Sequence, residues 1–134
     1  MNNKSNDKPL QKQTATFGQP WEQGDVYGFA PAVKINNRIY LSGQTASDPG
    51  GDMEAQMREA YAAIEAALAQ LGATMHNVVD ETLYVTDMDA AGACAARVRS
   101  DVFNGQFEMA STLLGVARLG HPQYLIEIKC VAEL

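Results

Sequence analysis

The chain offers two histidines, two cysteines and sixteen carboxylates from which an active site could be assembled. Most combinations fail on spacing. His76 and His121 fall in predicted loops with no carboxylate or cysteine at metal-ligand spacing. Loop surfaces carry many such histidines without a catalytic role. Cys94 and Cys130 lack CxxC spacing and read as reduced, buried thiols rather than a metal site. Gly50-Gly51 has neither the lysine nor the strand-loop-helix setting of a phosphate-binding loop. No G-x-S-x-G elbow surrounds Ser42-Gly43. Asp80 and Glu81 are adjacent on a predicted strand, so they face opposite ways and cannot share a proton.

The elements that must position any site follow from patterning. With 134 residues the chain is long enough for one domain with a hydrophobic core. Residues 1–16 are polar and almost free of apolar side chains, so they are expected to form a disordered tail, with the single domain at 17–134. The tail has no apolar run of the kind a signal peptide needs. No stretch approaches the roughly 18 apolar residues of a membrane helix. The expectation is a soluble cytoplasmic protein with no membrane partner. Net charge is −6, and Lys4, Lys8 and Lys12 against Asp7 give the tail +2, which leaves −8 on the body. An acidic body repels phosphates, so no nucleic-acid partner is expected.

Val33, Lys34, Ile35 and then Arg38, Ile39, Tyr40, Leu41 flank Asn36-Asn37, a two-residue hairpin signal. Met53, Met57, Tyr61, Ile64, Leu68 and Leu71 recur at helical steps, with Asp52 as cap and Gly72 as stop. Residues 78–86 are β-branched and read as a strand. Asp87 or Asp89 caps a second, Ala-rich helix to about Phe103, and residues 113–116 form a short strand. In a last strand over residues 124–131, Tyr124, Ile126, Ile128 and Cys130 face one way. Leu125, Glu127, Lys129 and Val131 form a mixed second face, as expected if another subunit partly covers it. The order is β-β-α-β-α-β-β, an α+β sandwich with two helices on one sheet face.

Four segments in this order resemble the Rid (YjgF-type, reactive-intermediate deaminase) family. They are Tyr40, Leu41, Ser42, Gly43 and Gln44; VVDETLYVTD from Val78; STLLGVARL from Ser111; and Leu125, Ile126, Glu127 and Ile128. The resemblance implies a chorismate-mutase-like fold on a mixed sheet, a homotrimer whose sheets form a barrel, and small-molecule clefts between subunits. It also implies hydrolysis of enamines and imines to keto acid and ammonia, without metal or organic cofactor. Carried over by position, Ser42 and Gly43 match the family's SG pair and Glu127 its water-orienting glutamate. The family's carboxylate-gripping arginine falls on Ser111, its tyrosine on Ala32 and an asparagine on Ala95. A bidentate fork cannot be replaced by a hydroxyl, so ordinary 2-aminoacrylate deamination is disfavoured.

Ser111 and Thr112 are then either ligand contacts or local backbone bonds. Glu127 holds either a ligand or an intersubunit hydrogen bond, Ser42 a ligand or a strand end, and Tyr84 lines the cleft or packs in the core. Arg97 and Arg99 are solvated helix arginines or a substitute cation. The expected function is small-metabolite binding in intersubunit clefts with imine or enamine hydrolysis. The alternative is a non-catalytic small-molecule sensor or binding protein on the same scaffold.

Overall fold

A computed structural model describes residues 10–17 and 27–134. Its strands are β1 (Gln13–Thr14), β2 (Ala32–Ile35), β3 (Arg38–Leu41), β4 (Val78–Val85), β5 (Ala110–Gly115) and β6 (Ile126–Glu133). The helices are α1 (Met53–Gln70) and α2 (Met88–Val102), with a 3₁₀ turn at Met75–Asn77. One sheet runs β1-β2-β3-β6-β4-β5, antiparallel throughout except for the β4–β5 pair.

Local chemistry sets the element ends. Asn36 adopts φ 54° in the β2–β3 turn, a conformation asparagine tolerates. The Asp52 carboxylate accepts the Ala55 N–H at 2.9 Å, and Asp87 accepts that of Ala90 at 3.0 Å, so each helix begins on an aspartate cap. Gly72 follows α1 at φ 79°, in the left-handed region that relieves a helix end.

Both helices cover one sheet face. Met57, Tyr61, Ile64 and Leu68 of α1 and Cys94, Ala95 and Val98 of α2 pack on Ile39, Leu41, Leu83, Val85, Ile126 and Ile128. Each fully buried Leu or Ile there contributes about 1.5–3 kcal/mol. The cross-strand pairs Tyr40–Val131, Thr82–Lys129 and Tyr84–Glu127 share the other face, which no element among the described residues covers. Tyr40 and Leu114 stand exposed on it.

The structure revises three boundaries. Gln13–Thr14 pairs with Val33 and Lys34, and Ala15 is buried, so residues 13–15 are ordered rather than part of a disordered tail. Backbone hydrogen bonds to the β2 edge hold this polar segment, and Ala15 adds its side chain to the core. Met1 to Pro9 lie outside the described residues. β5 starts at Ala110 because it pairs with β4 from Asp80 onward. β6 starts at Ile126 because the Leu125 N–H goes to the Gln56 side chain at 2.9 Å instead of the ladder.

Candidate functional site

Past Leu41 the chain continues beside β6. The Gln44 N–H donates to Ile128 O at 2.8 Å and the Ile128 N–H to Gln44 O at 2.9 Å. Ser42 is pinned across the strand end, its N–H on Pro31 O at 2.9 Å and its hydroxyl donating to Ala30 O at 2.7 Å. These bonds hold Gly43 directly against Glu127. A Cβ at Gly43 would lie 2.5 Å from Glu127 Oε1, so a side chain there would push the Glu127 carboxylate from its place. Among the described residues, neither Glu127 oxygen receives a hydrogen bond. The Glu127 carboxylate opens into a groove of about 920 Å³ that also holds Gln44, Glu59, Tyr124, Phe17, Tyr27 and Phe29. Such a group can accept a proton from a water placed against it. A smaller cavity of about 210 Å³ holds His76, Glu65 and Glu108, which do not come together as a metal-ligand set.

A second carboxylate is handled in the opposite way. Glu81 alternates with Leu83 and Val85 on the helix-facing side of β4 and is wholly buried. Its Oε2 accepts the Tyr61 hydroxyl at 2.6 Å and its Oε1 the Arg99 Nε–H at 2.8 Å. Arg99 Nη2 donates onward to Ser111 Oγ at 2.9 Å, across the Glu81–Ser111 register of β4 and β5. Burial and the negative charge of Glu81 push the Tyr61 hydroxyl pKa up. Burial opposes the Arg99 charge, but Glu81 and Tyr61 outweigh it and raise that pKa. The two thiols, Cys94 and Cys130, are buried and their pKa values rise by desolvation.

The profile of the family described as Endoribonuclease L-PSP matches residues 25–134. The chain belongs to this YjgF/Rid-type family. A RutC family protein of Pyrococcus abyssi is 31% identical over 110 residues, 78% of this chain and 84% of that protein. The RutC family protein YjgH of Escherichia coli is 26% identical over 130 residues, 92% of this chain and 96% of that one. Among solved structures, the Mycobacterium tuberculosis member of the YjgF/YER057c/UK114 family aligns with a TM-score of 0.81 at 30% identity. That alignment covers 92% of this chain and 100% of that structure. The α+β fold read from the sequence is thus the fold of Rid-type proteins.

Within this Rid-type subunit the expected site residues separate. Gly43 and Glu127 meet in the groove, and Tyr84 sits beside Glu127 by strand register on the uncovered face. Ser42 frames Gly43 but spends its hydroxyl on Ala30 O. Ser111 and Thr112 lie on β5, an edge strand separated from β6 by β4, and do not line the groove. Ser111 turns toward the helices and Arg99, whereas Thr112 pairs with Thr82 on the uncovered face. Ala32, matched to the family tyrosine, is wholly buried and cannot reach a ligand; Phe29 lines the groove instead. Arg97 pairs with Glu54 on the surface. Sequence reasoning missed Phe17, Tyr27, Phe29, Glu59 and the Glu81–Arg99 pair. Only Glu81 left a usable signal, its alternation with Leu83 and Val85.

Proposed function

We propose that this Rid-type protein is a cytoplasmic homotrimer whose Gly43–Glu127 groove binds a small metabolite and hydrolyses an imine or enamine there. The observation that carries the reading is Glu127, a carboxylate without a hydrogen-bond donor among the described residues, laid over a glycine at the floor of a groove. Hydrolysis adds water across the C=N bond: the oxygen goes to carbon, the C–N bond breaks, and R₂C=NH + H₂O gives R₂C=O + NH₃. Glu127 would take the water proton as the oxygen attacks and return it to the leaving nitrogen. No electron changes hands, so the step calls for no redox cofactor.

The trimer is supported by the uncovered sheet face, where Tyr40, Leu114 and Val131 stand beside polar groups. A second copy laid against that face would meet Thr112 and Leu114 of the edge strand β5. The ribonuclease in the family's description does not suit this site. RNA binding rests on cations facing phosphates, and among the described residues the groove's charged groups are Glu59 and Glu127.

One observation favours binding without turnover: Ser111, at the family's arginine position, is bonded to an arginine already paired with Glu81. The test is hydrolysis of imines generated in place by an amino-acid oxidase, alongside light-scattering mass measurement. A trimer that accelerates hydrolysis, with the acceleration lost in Glu127→Ala, supports the enzyme. A ligand-dependent rise in melting temperature without turnover supports the binding protein. A monomer contradicts the cleft.

A further inference from the structure

The groove's lining says what charge its ligand carries. Phe17, Tyr27 and Phe29 stand together, with ring centroids 5.1 Å, 5.6 Å and 6.2 Å apart. Tyr27 and Phe29 are 56% and 50% exposed, so much of their ring surface is open to a ligand. Ala46, Ala62 and Ala63 extend the apolar wall, and the described charged groups facing it are the carboxylates Glu127 and Glu59, the latter accepting the Ser47 hydroxyl and the Asp48 N–H but no cation. No Lys, Arg or His is among the described residues that line it. Residues 18–26, between two of the rings in sequence, also contain none.

Lys129, two residues from Glu127 on β6, and Arg118 have no carboxylate partner among the described residues but lie outside the groove lining. The other nearby cations are committed elsewhere. His121 packs 5.2 Å from the Tyr124 ring, and its Nδ1 accepts the Gln123 N–H at 3.1 Å. Arg58 and Arg97 pair with Glu54, and Arg38 with Glu133. Arg99 is neutralised by Glu81. Aromatic faces beside unopposed carboxylates attract positive charge and repel negative charge.

We infer that the groove selects an organic cation, a protonated amine or iminium on an aromatic or apolar group and without a carboxylate. This rests on the reading of the groove as the ligand site and deepens it. For an iminium, RCH=NH₂⁺ + H₂O gives RCHO + NH₄⁺, with water oxygen bonding to carbon as the C–N bond breaks.

Calorimetry on the full chain with 2-phenylethylamine and 3-phenylpropanoate, a ring on similar tethers of opposite charge, tests it. The amine should bind at least about tenfold more tightly than the acid. Glu127→Gln should erase most of that preference, and Phe29→Ala should weaken the amine without reversing it. Equal or tighter binding of the acid would overturn the inference and show that a cation such as Arg99 serves the groove. Binding of neither would overturn it too. In either case, Glu127-dependent hydrolysis of a carboxylate-bearing imine would leave the proposed function standing. Loss of that hydrolysis as well would remove both.

Discussion

Glu81 and Glu127 sit on neighbouring strands of one sheet and are treated in opposite ways. Glu81 faces the helices, is wholly buried, and has both oxygens occupied by Tyr61 and Arg99. Glu127 faces away, is half-buried, lies over a glycine and has no donor among the described residues. A buried carboxylate must be paired to be tolerated, and once paired it has no capacity left for a ligand. A carboxylate at a groove floor keeps that capacity because water can solvate it until a ligand arrives. The difference separates a group whose bonding is satisfied within the fold from one left open to solvent.

The largest effect should come from breaking the paired carboxylate. Glu81→Ala strands Arg99 and the Tyr61 hydroxyl in the interior and should cost about 3–5 kcal/mol of stability, read from urea midpoints at unchanged slope. Gly43→Ala should act on the other carboxylate. Its Cβ would meet Glu127 Oε1 at 2.5 Å and displace it, and misplacement on that scale costs about a hundredfold in turnover or ligand affinity. Its loss of stability should be far smaller than that of Glu81→Ala.

Tyr61→Phe removes one donor to Glu81 and should cost about 1–3 kcal/mol. It also carries a pH signature. The folded-state pKa of Tyr61 is raised, so its contribution is complete below the ordinary tyrosine value of about 10 and declines as pH rises above it. Urea midpoints followed into alkaline pH should fall more steeply for wild type than for Tyr61→Phe. The smallest effect belongs to Glu127→Gln, which should shift stability by less than about 0.5 kcal/mol. A large loss there would mean Glu127 is as structural as Glu81.

The parts of the fold set by local chemistry could be read in the sequence: the Asn36 turn, the Asp52 and Asp87 caps, Gly72, and the alternation of Ile126, Ile128 and Cys130. β1 could not, because Gln13–Thr14 is held by backbone bonds to an edge that only the folded sheet supplies. Nor could the start of β6. That depends on Gln56, a glutamine on the apolar face of α1 whose side chain also donates to the carbonyls of Gly51 and Gln123. Of the candidate site, Gly43 and Glu127 were expected from the family resemblance. The aromatic wall was not, since Phe17 lies ten residues before Tyr27 and no periodicity links them. Arg99 was seen as a helix arginine, but its partners Glu81 and Ser111, and the Tyr61 that shares Glu81 with it, come from three separate elements.

The most direct test is imine hydrolysis per folded molecule for wild type, Glu127→Gln and Glu81→Gln, at a temperature where all three remain native. The account predicts that Glu127→Gln loses about a hundredfold or more while Glu81→Gln stays near wild type. Hydrolysis that survives Glu127→Gln and collapses in Glu81→Gln would contradict it, and would place the working carboxylate beside Arg99 and Ser111.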